Sequence, residues 1–412
     1  MVTRRTLLVA PLAAAAAESK PRVMTVDLRE GGPYAFPPSG KAYRENGPSH
    51  RLWRRVLIDA PDVIVTPGGP DFGLAAAGLP ILTEPPRKAA PSKLHLDQRA
   101  RMARPPKAWM EQLAAQYGQE LREMVYTLSF SVWGRLRAGQ ATAVQPILEP
   151  FLNGRVDSLA KPTASHYSGH LTLAALFERT GDTRAKDRVV AAANLARQNP
   201  LHNEMSDSVF MVCPLLATAG KFSGDAAWFD ATLAHFNFMR KLCLRPDGLY
   251  RHSPLDEAAW GRGNAFPLLG LALSLDALPA THAAHAPLRE AFRLHAARLL
   301  QEQTQGGCWR QVIDKPDAWE EFTCTAMIGW ALRRGLQHKW LRGPAYEGAV
   351  KKAWAAIQRR AGSDGVLIDV CESTGKQKSL ADYYNREALL AKDPRGGAMA
   401  LQFAAEMAGV TA

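Results

Sequence analysis

From about residue 106 to the C-terminus, the apolar residues of this chain recur at the spacing of α-helical turns. Leu113, Tyr117, Leu121, Met124 and Leu128 form one stripe. Leu173, Leu176 and Phe177 form another, stopped at Thr180-Gly-Asp182 and resumed by Val189, Ala192, Ala193 and Ala196. Later stripes are Leu288, Phe292 and Leu299, then Tyr346, Val350, Ala353, Trp354 and Ile357. The pattern predicts roughly ten to twelve helices over 106–412, with little strand. No fixed repeat is visible, which excludes a helical-repeat solenoid. Short turns alternate with longer polar connections, and the longer ones carry the unusual residues. Helical hairpins closed into a ring, with functional loops at one end, produce that alternation. The fold class expected is all-α, an (α/α)6 barrel, with a generic helical bundle as the alternative.

The preceding segment, 18–105, differs in character. It is rich in Pro and Gly, as in Gly31-Gly-Pro33, Phe36-Pro-Pro-Ser-Gly40 and Pro67-Gly-Gly-Pro70. Arg55–Ile58 and Val63–Thr66 read as short strands, and Gly73–Gly78 as a helix start. Either a small α/β fragment or an extended arm fits this appendage. Residues 1–17 read as a secretion signal. Arg4-Arg5 precedes an uncharged Leu/Ala-rich stretch that ends in small residues. Thr3-Arg-Arg-Thr-Leu-Leu8 also resembles a twin-arginine signal. The apolar run is too short for stable membrane insertion. A periplasmic or secreted location is expected.

A length of 412 residues and a hydrophobic fraction of 47% suffice for a large core. The net charge of +12 is scattered, with no Lys/Arg run and no nucleic-acid motif. Such a surface suits an acidic substrate, although a basic habitat explains it equally. Cys213, Cys243, Cys308, Cys324 and Cys371 are odd in number and none has metal-ligand spacing, so free thiols and no metal are expected. No cofactor is implied, and the oligomeric state is left open.

Four segments concentrate polar chemistry. In Asn203-Glu-Met-Ser-Asp207, Asp207 stands at a helix start, where an N-cap and a general acid/base are alternative roles. Leu249–Ala259 runs into Trp260-Gly-Arg-Gly-Asn-Ala-Phe266, which gathers His252, Trp260, Arg262, Asn264 and Phe266. Flat aromatic faces and a guanidinium fork suit a sugar acid. The two glycines suggest close approach of backbone to ligand. Gly306–Asp314 offers Trp309 as a sugar platform. It leads to a helix entered through Glu320 and Glu321, where capping is the plainer role. Tyr383, Tyr384 and Arg395 lie in the last segment, placed to close a cleft.

Taken in order, Ser165-His-Tyr-Ser-Gly-His170, Asp207-Ser-Val-Phe-Met211, Leu249-Tyr-Arg-His252, Trp260-Gly-Arg-Gly-Asn264, Gly307–Val312 and Gly375…Tyr383-Tyr384…Gly396-Gly-Ala398 resemble the unsaturated glucuronyl and rhamnogalacturonyl hydrolases of glycoside hydrolase families 88 and 105. The resemblance covers roughly 106–410 and implies an (α/α)6 barrel. It also implies removal of the terminal Δ4,5-unsaturated uronic acid from lyase-generated oligosaccharides. Asp207 would be the acid/base. His252, Trp260, Arg262, Asn264, Phe266, Trp309, His170 and Tyr384 would bind substrate. Phe266 stands where the family often has Trp, which keeps an aromatic wall but removes an indole N–H. A single carboxyl suffices because the C4=C5 bond belongs to a vinyl ether, unlike the paired carboxyls of ordinary glycosidases. An apolar wall from Phe210 and Trp260 would favour the protonated carboxyl.

Two further readings compete. A polysaccharide lyase on the same frame would use Tyr250 or His252 as base beside Arg262. A non-catalytic periplasmic sugar-acid binding protein would bind without turnover.

Overall fold

The computed structural model describes residues 22–26, 42–44, 63–67, 100–198, 204–316, 318–362, 365–384 and 386–410. From Pro106 on, outer and inner helices alternate. The series begins with α1 (Pro106–Gln116, outer), α2 (Tyr126–Arg137, inner) and α3 (Ala141–Leu152, outer). The second inner position is split into α4 (Ala164–Gly169) and α5 (Leu171–Thr180), followed by outer α6 (Thr183–Gln198). Inner α7 (Ser208–Ser223), outer α8 (Ala227–Cys243), inner α9 (Gly261–Ala277) and outer α10 (His285–Leu300) continue the series. Inner α11 (Phe322–Gln337), outer α12 (Pro344–Arg360), the short α13 (Leu380–Tyr384) and inner α14 (Pro394–Met407) complete it. Helix α2 packs on α4 and α5, α4 on α7, α7 on α9, α9 on α11, α11 on α14, and α14 back on α2. The result is a closed double ring, an (α/α)6 barrel.

Burial explains which helices are inner. Helix α7 buries every residue from Ser208 to Gly220, and α9 every residue from Gly261 to Leu275. A helix apolar all round has no face for water and belongs inside. Outer α6 buries only the stripe Ala185, Val189, Ala192, Ala193 and Ala196.

The structure corrects two sequence expectations. The Leu113–Leu128 stripe belongs to two helices, outer α1 and inner α2. Gly118, at φ +72°, adopts a left-handed conformation that reverses the chain between them. Strand content also exceeds expectation. Strands β1 (Arg22–Val26) and β3 (Val63–Pro67) pair in parallel, and β2 (Ala42–Arg44) lies antiparallel to β7 (Glu387–Ala391). Strands β4 (Trp309–Arg310) and β5 (Glu320–Glu321) form an antiparallel ribbon, and β6 (Leu367–Cys371) pairs with β7. Strand β6 is buried throughout, so its short apolar run shows no alternation by which periodicity would reveal it. The Val63–Thr66 run lies within β3. Arg55–Ile58, Gly73–Gly78 and the 1–17 signal lie outside the described residues. Among the described residues, no helix is long and apolar enough to cross a membrane.

A buried ionic cluster fastens the ring where its ends meet. Glu406 on α14 accepts hydrogen bonds from Arg137 of α2 (2.8 Å), Arg334 of α11 (3.1 Å) and the Trp330 indole (3.1 Å). Arg334 also pairs with Asp276 of α9. Four inner helices thus share one network. Removing one charge from a buried cluster strands its partners. Glu406→Gln is expected to cost about 3 kcal/mol, seen as an earlier urea midpoint; an unchanged midpoint contradicts the role.

The break between α4 and α5 falls at His170, which is fully buried. Its Nδ1 faces the His166 carbonyl (2.7 Å) and its Nε2 the Ser158 hydroxyl (3.0 Å), the pattern of a neutral ring donating from Nδ1. Burial pushes its pKa down from 6.5 to about 4. The unfolded chain therefore takes up the proton first as pH falls. Stability is full above pH 6.5, declines between there and about 4, and is level below. Between pH 7 and 5 this residue accounts for a loss of about 2 kcal/mol. Urea unfolding of His170→Gln at both pH values should show that increment removed.

Candidate active site

Single outer helices separate consecutive inner positions, so the inner helices are parallel and their N-termini meet at one end of the barrel. Acidic residues occupy three of those N-cap positions. Glu321 caps α11, accepting from the Thr323 and Cys324 amides. Asp393 caps α14, accepting from the Gly396 amide at 2.8 Å. Asp207, before α7, has helical dihedrals and makes no side-chain cap bond. Its side chain is only 10% exposed, and Oδ1 has no hydrogen-bond partner in the protein. The N-cap role therefore applies to Glu321 and Asp393, whereas Asp207 caps nothing.

Local bonds deliver Asp207 to this position. The Ser206 amide donates to the His252 carbonyl (2.9 Å), and the Ser206 hydroxyl to the Gly263 carbonyl (2.6 Å). The turn before α7 is thereby tied to the 249–260 loop and to the start of α9. His252 Nε2 lies 3.3 Å from Asp207 Oδ1, without the alignment of a hydrogen bond. His252 Nδ1 is 2.8 Å from the Tyr383 hydroxyl, which also accepts from the Gln377 amide. With that amide donating to the phenol oxygen, the phenol proton is available to Nδ1. We assign the His252 proton to Nε2, facing Asp207.

Aromatic rings surround the pair. Trp260 lies against His252 with centroids 4.3 Å apart, and the Arg262 guanidinium sits 4.5 Å over Trp260. The Trp260 indole nitrogen is buried without a partner. Phe266 and Phe210 are 5.2 Å apart and both pack on Tyr126 at the start of α2. Burial pushes the Tyr126 phenol up to about 12, against the pull of Arg262 and Arg395, with Asp207 and Asp393 adding to the rise. Tyr126 thus lies in the field of residues from three other helix starts, α7, α9 and α14. Nothing in its sequence context marks it, because a Tyr opening an apolar helix reads as core.

The expected site residues therefore divide. Asp207, His252, Trp260 and Arg262 converge, with Phe266 in the wall behind them. Arg262 is 2% exposed and spends its Nη atoms on the Cys371 (2.6 Å) and Glu372 (2.7 Å) carbonyls, with Glu321 3.6 Å away. Arg395 also donates to the Cys371 carbonyl (3.0 Å), so both arginines clamp the end of β6. Asn264 is a bolt: its side chain bonds both the amide and carbonyl of Tyr250. Its amide and carbonyl groups are satisfied internally, so it leaves no group for substrate. Trp309 is no sugar platform. It is 0% exposed, and its indole N–H donates to the Leu299 carbonyl. His170 is likewise committed at both ring nitrogens. Tyr384 packs half-buried against the core, and its neighbour Tyr383 reaches His252 instead. Gly261 serves backbone packing rather than ligand approach, since a Cβ there would lie 2.6 Å from the Arg310 carbonyl oxygen. The Tyr250 phenol is buried, and its ring packs edge-on against His295 at 4.9 Å. All five cysteines are buried and unbridged.

Comparison with known proteins bears on the arrangement. The family model described as Glycosyl Hydrolase Family 88 matches residues 150–411. An unsaturated 3S-rhamnoglycuronyl hydrolase of Formosa agariphila is 34% identical over 108 residues, 26% of this chain and 29% of that protein. The unsaturated rhamnogalacturonyl hydrolase YesR of Bacillus subtilis is 25% identical over 186 residues, 43% of this chain and 52% of that protein. The aligned stretches thus span about half or less of these relatives' own length. A glycoside hydrolase from family 105 of C. acetobutylicum superposes with a TM-score of 0.61 at 20% identity, covering 73% of this chain and 99% of that one. That likeness shows the fold.

Proposed function

The chain belongs to Glycosyl Hydrolase Family 88, and we propose that it removes the terminal Δ4,5-unsaturated uronic acid from lyase-generated oligosaccharides. The observation that carries this reading is Asp207 itself: a buried carboxylate at a helix start that caps nothing and faces a histidine. Around it, six inner-helix N-termini present their positive dipole ends, a setting that favours an anionic sugar. His252 Nε2, Trp260 Nε1 and Arg262 Nε are buried donors without a hydrogen-bond partner there.

The chemistry proceeds with one acid. Asp207 gives its proton to C4 of the vinyl ether, and the ring oxygen shares the positive charge that develops at C5. Water adds its oxygen to C5 and returns a proton to Asp207. The hemiketal so formed opens and releases the remaining saccharide. A His252 N–H toward Asp207 steadies the carboxylate between the two transfers, and the aromatic wall excludes competing water. A lyase would run toward, not away from, the C4=C5 bond. Of its two candidate bases, the Tyr250 ring packs on His295, whereas His252 stays in the site, so the direction of the absorbance change decides between the two readings.

Residues 1–17 support export, with the reaction in the periplasm or outside the cell. Mass spectrometry of periplasmic protein should show them removed, and an intact N-terminus would refute it.

Ultraviolet absorbance of an unsaturated disaccharide reports the reaction. We expect the wild-type protein to abolish the C4=C5 band and Asp207→Asn to act about a thousandfold more slowly. A rise in absorbance on intact polysaccharide would instead make the protein a lyase, and saturable binding without turnover a binding protein. Tyr383→Phe tests the positioning of His252. It should lower kcat about tenfold with little change in KM, and alter the pH profile of kcat. A loss of stability alone, with kcat and its pH profile intact, would reduce Tyr383 to a packing role.

A further inference from the structure

At the other end of the barrel, beyond the C-terminus of α11, the chain builds a cationic cleft unrelated to Asp207. Helix α11 has 16 residues, so this end lies about 24 Å along the barrel from the acid. Two cavities of about 680 and 470 Å³ adjoin there, sharing Lys339, Leu341 and Arg342 in their walls. Arg333 and Lys351 line the first, and Arg289 lines the second. Among the described residues, none of these five cations has an acidic partner. The acids in the same walls are Glu347 and Glu290, and Glu290 is held by Arg293 at 2.7 Å.

Elsewhere on the barrel other cations are paired. Arg298 pairs with Glu302 (2.6 Å), Lys221 with Glu178 (2.6 Å), and Arg245 with Asp314 (2.9 Å). The C-terminus of α11 favours Arg333 and, just beyond it, Lys339, but does not account for the rest of the cluster. Arg289 lies near the N-terminus of α10, where the dipole disfavours a cation. Like charges crowded into a concavity repel, and an anionic ligand would relieve that repulsion. The cleft also holds a fixed aromatic surface. Trp340 stacks on His338 (4.6 Å, 17° between planes) and is braced edge-on by Phe292 (5.8 Å). Cations beside a braced indole ring, in a concave wall, suit a chain of acidic sugars better than a flat lipid surface or a duplex groove.

We propose that this cleft is a second, non-catalytic site that binds the carboxylates of a polyuronate chain and holds the enzyme on its polymer. The choice of polyuronate rests on the hydrolase reading. The cationic cleft itself does not.

The test is affinity electrophoresis of the full chain through gels containing saturated oligogalacturonate, which has no C4=C5 bond to hydrolyse. Wild type should be retarded, and the Lys339→Glu/Arg342→Glu variant at least about fivefold less so, because both substitutions invert exposed charges in the shared wall. Hydrolysis of a short unsaturated disaccharide should stay within about twofold in the variant, because the acid is distant. Equal retardation of wild type and variant, or none in low salt, overturns the proposal. Binding of duplex DNA or anionic vesicles as tight as that of the oligogalacturonate, with the same loss in the variant, also overturns it. Retardation by the uronide without hydrolysis of the disaccharide would sink the hydrolase reading and leave the second site standing.

Discussion

Closure of the inner ring is the constraint on which everything else rests. The last helix must meet the first inner helix, and Glu406 is buried at that seam among Arg137, Arg334 and Trp330. Buried charge is tolerated only when its partners are in place, so this cluster specifies which helices are neighbours. With the ring closed, the parallel inner helices bring their N-termini to one rim. Residues far apart in the chain, Tyr126, Asp207, Arg262 and Asp393, then act within one electrostatic field.

The rim shows how a common residue acquires an uncommon use. Glu321, Asp393 and Asp207 all precede inner helices, and the first two satisfy the orphan amides of their own helices. Asp207 is turned away from that task because Ser206 is bonded to His252 and to Gly263. Its helical dihedrals extend α7 by a residue and leave the carboxylate toward His252. Around this centre most of the polar groups are supports. Arg262 and Arg395 hold the end of β6, Asn264 holds Tyr250, and Tyr383 orients His252.

That division explains what reading residues in order achieved and where it failed. The helical stripes placed inner α5 and outer α6, α10 and α12, since a helix with one face toward water carries its burial pattern in its own spacing. The Leu113–Leu128 stripe was misread as one element because apolar residues on two consecutive helices can share a period by chance. His252, Trp260 and Arg262 stood out through an improbable local composition. Trp309, Asn264 and His170 stood out for the same reason, yet their polar atoms are used inside the protein. Tyr126 carried no local mark at all, and nothing local showed that Tyr383, rather than Tyr384, meets His252.

The sequence by itself determined the helical architecture, the candidate acid and the family pattern, because periodicity and local clusters are properties of neighbours along the chain. Only the tertiary structure decided which acid caps and which is held unpaired. It alone decided which tyrosine meets His252, and which cations far apart in sequence share one cleft without an ion-pair partner. Those outcomes depend on hydrogen-bond partners supplied by other helices, across separations such as the 131 residues between His252 and Tyr383. No local pattern encodes whether such a partner will be present.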